Sequence, residues 1–235
     1  MKKIFITLIL IAVTTQIQYA QEKYFVGAEA SYIIPLGTLS DRYDPGYGLS
    51  IVAGERTNSD WNWSGRFEYI RFSEENQEKM NVRRRYTVAG EQKDFGIPLK
   101  SLVMDLKAYG LTANLTYDFL DFDFLKAQAS VGFGVYRWEN LRGTVKDSLF
   151  ADTTGSGVPA FVEYLDVPEN KQMDWSGGFY TGLKFEIPIV EPVAITVSSH
   201  FKGIIGELWP ALALDKENVS VFQMLDTKVS IHIKL

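Results

Sequence analysis

The sequence predicts an all-β fold, an eight-stranded antiparallel up-and-down transmembrane β-barrel. Three observations lead there. Apolar and polar residues alternate with period two along most of the chain, the connections alternate between short and long, and glycines mix with charges on the polar face. Such alternation marks strands with one apolar and one polar face. Helical periodicity is nowhere comparable.

The first element is not a strand. Residues 1–20 combine a basic start (Lys2, Lys3), an apolar run from Ile4 to Val13 and a polar stretch ending at Ala20. That layout is a cleaved secretory signal, and the run is shorter than the roughly 20 residues a spanning helix needs. Residues 21–235 then form the barrel. The chain contains no cysteine, which excludes disulfides and lipid attachment at the cleavage site. A net charge of −5 and a pI near 5.2 argue against nucleic acid as a partner.

Eight alternating segments follow: 24–34, 47–56, 61–72, 108–119, 124–138, 175–189, 193–205 and 227–235. In "WNWSGRFEYIRF" (61–72), Trp61, Trp63, Gly65, Phe67 and Tyr69 oppose Asn62, Ser64, Arg66 and Glu68. In 108–119, Tyr109, Leu111, Ala113, Leu115, Tyr117 and Phe119 oppose Thr112, Asn114, Thr116 and Asp118. Each apolar stretch is about ten residues long, enough for a tilted strand to cross a bilayer. "TNSD", "LDFD" and "VEP" make tight links after the second, fourth and sixth segments. The other connections run from about a dozen to more than thirty residues, so the long loops all fall at one end.

Alternation alone leaves two closures open: a soluble lipocalin-like carrier with an apolar interior, or a membrane barrel with an apolar exterior. The glycines of the polar face (Gly27, Gly48, Gly54, Gly132, Gly134, Gly178, Gly182) suit a narrow filled lumen, not an exposed strand surface. Aromatics sit near the ends of the apolar face. Tyr24, Trp61, Trp63, Tyr117 and Phe119 lie beside the short turns, and Tyr32 and Tyr69 toward the long loops, as in two membrane girdles. The membrane barrel is therefore expected, closed by its last segment against its first.

The signal, the opening "VGAEASYIIPLGTLSDRYDPGYGLSI" and the eight segments resemble small OmpA/OmpX-type outer-membrane barrels. The "IPLG-LSD-YDPGYG" texture and the Ala-Gln cleavage site are most similar to the outer-membrane β-barrel domain proteins of the Bacteroidota. One departure is the last residue, Leu235, where such chains often end in phenylalanine. The resemblance implies the bacterial cell outer membrane, short turns in the periplasm and long loops outside. Outer-membrane lipid and lipopolysaccharide would be contacts, with a protein or glycan partner at the loops.

With the polar face inward, the lumen would hold a paired charge network of Glu29, Arg66, Glu68, Lys126, Lys184, Glu186, His200 and Lys202, with His232 as a further candidate. Eight strands leave just enough room for side chains. A structural or interaction role is therefore expected, with a narrow pore for ions or a small solute as the alternative. A lipid-modifying enzyme is weaker. His200 and Ser198 share a face near Glu186, but in mid-strand and toward the lumen, with lipid on the far side of the wall. No cofactor is expected, and a metal site made from His200 and His232 is weaker still, because the two sit at different heights on adjacent strands. In the loops, Arg83, Arg84 and Arg85 suit phosphates of lipopolysaccharide or ordinary solvation. Phe161, Tyr164 and Leu165 are apolar enough to cap the barrel mouth or meet a partner, and Trp209 and Leu212 to rest against lipid, the third long loop or a partner. "DRYDPG" (41–46) lacks calcium-loop spacing and is expected to be a turn.

Overall fold

The computed structural model describes residues 23–57, 60–88, 91–98, 102–208 and 219–235. The expected signal, Trp209 and Leu212 lie outside them. Among the described residues, twelve strands run in chain order: β1 (Tyr24–Leu36), β2 (Gly46–Arg56), β3 (Trp61–Phe72), β4 (Asn81–Val88), β5 (Glu91–Pro98), β6 (Met104–Phe122), β7 (Leu125–Arg142), β8 (Val145–Ala151), β9 (Ala160–Val167), β10 (Asn170–Val190), β11 (Val193–Ile204) and β12 (Phe222–Lys234). Eight of them close a barrel in the order β1-β12-β11-β10-β7-β6-β3-β2. Every neighbouring pair is antiparallel, and the seam joins β1 to β12 with Ala28 opposite Ile231.

The remaining four strands form two hairpins, β4-β5 and β8-β9, inside the two longest connections. The sequence marks these stretches only as long loops. Their alternation is weak because "NVRRRYTV" and "EQKDFGIP" carry three charged residues each, which interrupt the apolar-polar pattern. The barrel strands that follow them also begin earlier than the alternating segments, β6 at Met104 and β10 at Asn170.

The direction of the wall follows from exposure. Ile51, Phe67, Leu111 and Val135 are consecutive cross-strand neighbours on β2, β3, β6 and β7, all exposed. Across the seam, Ile195, Ile231 and Ala28 lead back to Ile51. This unbroken apolar belt far exceeds the few hundred Å² that a water-soluble monomer exposes as one patch. It suits hydrocarbon, in which a closed sheet leaves no unpaired edge. Aromatic pairs mark its ends: Trp61 and Tyr117 rings lie 4.8 Å apart near the short turns, Tyr69 and Tyr109 rings 5.1 Å apart toward the long loops. Tyr24, Trp63 and Phe119 also face outward near the short turns.

Candidate functional site: the sealed lumen and the long-loop end

Inward positions fill the barrel in three zones. Near the short turns, the Phe25 ring points inward beside His232, with ring centroids 5.2 Å apart. The cations of Arg56 and Lys184 each lie 5.6 Å from the Phe25 ring centroid. Arg56 donates to both oxygens of the Glu186 carboxylate at 2.6 and 2.8 Å. Asn62 and Gln128 both donate to Asp118.

The middle zone is a buried ion network. Lys202 Nζ donates to Glu68 at 2.6 Å and to Asp226 at 2.7 Å. Lys228 reaches the same two carboxylates at 3.2 Å each and Glu29 at 3.6 Å. Arg66 pairs with Glu29 at 2.8 Å and stacks over Tyr180. Ser50 donates to Glu29, and the Tyr136 hydroxyl donates to Glu68 at 2.6 Å. Three carboxylates (Glu29, Glu68, Asp226) thus face three cations (Arg66, Lys202, Lys228). Isolated burial of any one would be costly, and mutual pairing offsets that cost. Tyr136 enters this layer only because Gly110 and Gly178 flank it. A Cβ on either would press into its ring.

Toward the long loops the interior turns apolar. Ile70, Phe72, Leu106, Trp138, Phe222 and Met224 pack together, and loop residues Leu39, Tyr43 and Met80 cover them. The β8-β9 hairpin adds Val145, Leu149, Leu165 and Val167. Each fully buried side chain of this size contributes about 1.5–3 kcal/mol, so the hairpin base is anchored to the barrel interior. The lumen is therefore not closed by charge and polarity alone.

The sequence-predicted lumen residues Glu29, Arg66, Glu68 and Lys202 come together in the central network, and His200 lies next to it. Glu186 and Lys184 belong to the zone below. Lys126 is a correction. It occupies an inward position opposite Glu186, but its ammonium pairs with Asp121 at 2.6 Å across the β6-β7 turn. The short link places that carboxylate nearer than any lumen partner. Asp226, Lys228, Arg56 and Tyr136 are not among the predicted lumen residues. Parity with Ser230 and His232 already pointed Lys228 inward, whereas Asp226 lay just before the assumed start of the last strand.

His200 Nε2 lies 2.9 Å from Ser130 Oγ rather than from Ser198, and its Nδ1 meets no hydrogen-bond partner among the described residues. A Ser-His-carboxylate triad needs an acid on that second nitrogen. His200 stands opposite Asp226 and His232 opposite Ala194, roughly 20 Å apart along β12 at strand rise, too far to share a metal.

At the loops, two members of the predicted arginine cluster have acidic partners. Arg84 donates to Glu163 at 2.7 Å, joining β4 to β9, and Arg85 forks onto Asp94. Arg83 is exposed on the same strand. Neighbouring strands thus supply carboxylates to Arg84 and Arg85. Phe161 and Tyr164 stay outward, their rings 4.8 Å apart with Phe150 beside them, while their neighbour Leu165 turns into the core. The "DRYDPG" segment does turn, burying Tyr43, whose hydroxyl donates to Asn140.

No protein-family model and no curated protein matches the chain. Among solved structures it is similar to Neisserial surface protein A, at 16% identity over 90% of this chain and 97% of that one, with a TM-score of 0.47. It is also similar to the attachment invasion locus protein of Yersinia pestis, at 12% identity over 90% and 95% of the two chains, with a TM-score of 0.43. A major outer membrane protein from Thermus thermophilus gives 9% identity over 89% and 98%, with a TM-score of 0.48. The chain itself forms a closed eight-stranded antiparallel barrel with an apolar outer wall.

Proposed function

We propose that this protein resides in the bacterial outer membrane as a non-conducting, non-enzymatic barrel that presents its long-loop end to a partner outside the cell. The observation that carries this reading is the seal at Lys202 and Asp226, each 0% exposed. A water-filled passage through eight strands would leave such charges wet, as the wider porin lumens do. Phe150, Phe161 and Tyr164 support the interaction role. They project from a hairpin whose opposite face is anchored in the core, so the aromatic face is held rigidly outward. An external protein or glycan is the partner such a face fits.

The test is single-channel recording of the refolded protein in planar bilayers, paired with gel mobility of unheated and heated samples. Folded, heat-modifiable protein that stays silent at all voltages is the expected result. Discrete conductance steps would replace this reading with a pore. A mature chain that is monomeric and β-rich in water without detergent would overturn the membrane location itself.

A further inference from the structure

The outward positions of β1, β11 and β12 carry no charged side chain from one end of the wall to the other. At the long-loop end, outward charge gathers on β3, β6, β7 and β10 instead, as Arg71, Asp105, Lys107, Arg137, Glu139 and Lys171. Four cations face two carboxylates in this sector. Arg71 and Lys107 share one of them, Asp105, at 3.0 and 2.7 Å. Lys171 lies 3.2 Å from the other, Glu139. Arg137 is exposed, and its guanidinium has no ion partner among the described residues. Its cross-strand neighbours are Tyr109 and Trp175.

The height of this sector is informative. Arg71 stands ten residues along β3 from Trp61. That is about 33 Å of strand, or about 25 Å along the barrel axis at a tilt near 40°, matching the apolar band of an outer-membrane barrel. Arg71 and its cross-strand neighbour Lys107 therefore sit where the lipid phosphates of the outer leaflet lie, and Arg137 stands one outward position nearer the apolar band. Below them, past Tyr69 and Tyr109, the wall is Phe67, Leu111 and Val135, all exposed and apolar.

We propose that this sector is a binding site for one phosphorylated, multiply acylated lipid of the outer leaflet. Arg137 and Lys107 take the phosphate, Trp175 and Tyr109 border it, and the acyl chains lie along Leu111 and Val135. A guanidinium matches phosphate geometry in a fork, and an ammonium adds a point charge. A generic headgroup contact would distribute cations around the whole circumference, whereas β1, β11 and β12 have none. A free anion would gain nothing from the apolar strip beneath. The inference rests on the membrane location proposed above.

The experiment is native mass spectrometry of the full chain in detergent micelles, titrated with bisphosphorylated lipid A or its dephosphorylated counterpart of identical acyl chains. Wild type is expected to retain the bisphosphorylated form about tenfold more strongly, the scale of one or two charge-assisted hydrogen bonds. Arg137→Gln removes a cation with no partner, so heat-modifiable mobility is unchanged while the preference falls several-fold. Lys107→Gln lowers it further. Equal retention of the two lipids, or an undiminished preference in Arg137→Gln, would overturn the site. Displacement of the lipid by millimolar inorganic phosphate would overturn the choice of a lipid over a free anion. Failure of the membrane reading is separate: it shows as absent heat-modifiability in wild type before any lipid is added.

Discussion

Lys202 and Glu68 meet 2.6 Å apart at the centre of the barrel, one from β11 and one from β3, two strands that share no hydrogen-bonded edge. The contact crosses the lumen, so it ties opposite walls together. Removing Lys202 leaves Glu68 and Asp226 with Lys228 as their one remaining lysine, and three buried carboxylates against two cations. Breaking a buried pair on one side costs about 3–5 kcal/mol. Lys202→Met should therefore lower the urea midpoint of unfolding in micelles or vesicles substantially. Adding Glu68→Gln to it should restore part of the loss. Strict additivity of the two substitutions would show that the pair is not coupled.

The slot around Tyr136 makes a steric prediction. Gly110→Ala or Gly178→Ala would drive a methyl into the ring, and overpacking of this kind costs about 1–3 kcal/mol. Both variants should refold with lower yield of the compact, heat-modifiable band. Tyr136→Ala in the same chain should recover that yield, because it removes the atoms that clash. The recovery will be incomplete, since Glu68 then loses a donor at 2.6 Å. A Gly178→Ala protein as stable as wild type would mean the ring has another place to go.

The wall was legible in the sequence because each barrel strand keeps period two over about ten residues in hydrocarbon, where outward charge is costly. The β3 segment, Trp61–Phe72, matches the alternating stretch to the residue. Legibility fails where the lumen itself becomes apolar. At Met104, Leu106 and Ala108 the inward face of β6 joins the upper core, so polar-in, apolar-out no longer holds and the strand was started too late. Asp226 was lost for the same reason. It follows the inward Met224 and Phe222, and an acid after an apolar stretch reads as a loop. Lys126 misled in the opposite sense: parity places it inward, and only the geometry of the turn reveals Asp121 as its partner.

The two outer hairpins are joined by Arg84 and Glu163, whose side chains are 24% and 41% exposed. Solvent screens such a pair, and its worth is about 0–1 kcal/mol. Arg84→Gln should leave the urea midpoint of the barrel within error of wild type. Backbone amide exchange should quicken in β4 and β5, of whose described side chains only Ile97 packs against the upper core. The β8-β9 hairpin should change less, because Leu149 and Leu165 anchor it. Equal acceleration in both hairpins would mean that the ion pair, not the core, holds β8-β9 in place.

Asp152 organises the tip of the β8-β9 hairpin. Its carboxylate accepts backbone N–H bonds from Gly157 at 2.6 Å, Gly155 at 2.8 Å, Ser156 at 3.1 Å and Thr154 at 3.2 Å. Gly155 and Gly157 have φ of 75° and 79°, a backbone that other residues rarely adopt, and this brings their amides round to the acid. The Gly157 N–H leads the donors that hold this carboxyl below its ordinary value. A group lowered in the folded state stabilises that state once it is ionised. The tip is therefore ordered at neutral pH, and the order is lost as pH falls below the usual aspartate range through the lowered value. Protection of the Gly155 and Gly157 amides, read by exchange NMR after intrinsic-rate correction, should drop over that acidic window. Asp152→Asn should start less protected at neutral pH and show no such titration. A wild-type tip equally protected on both sides of the window would mean the ionised carboxylate does not hold the turn.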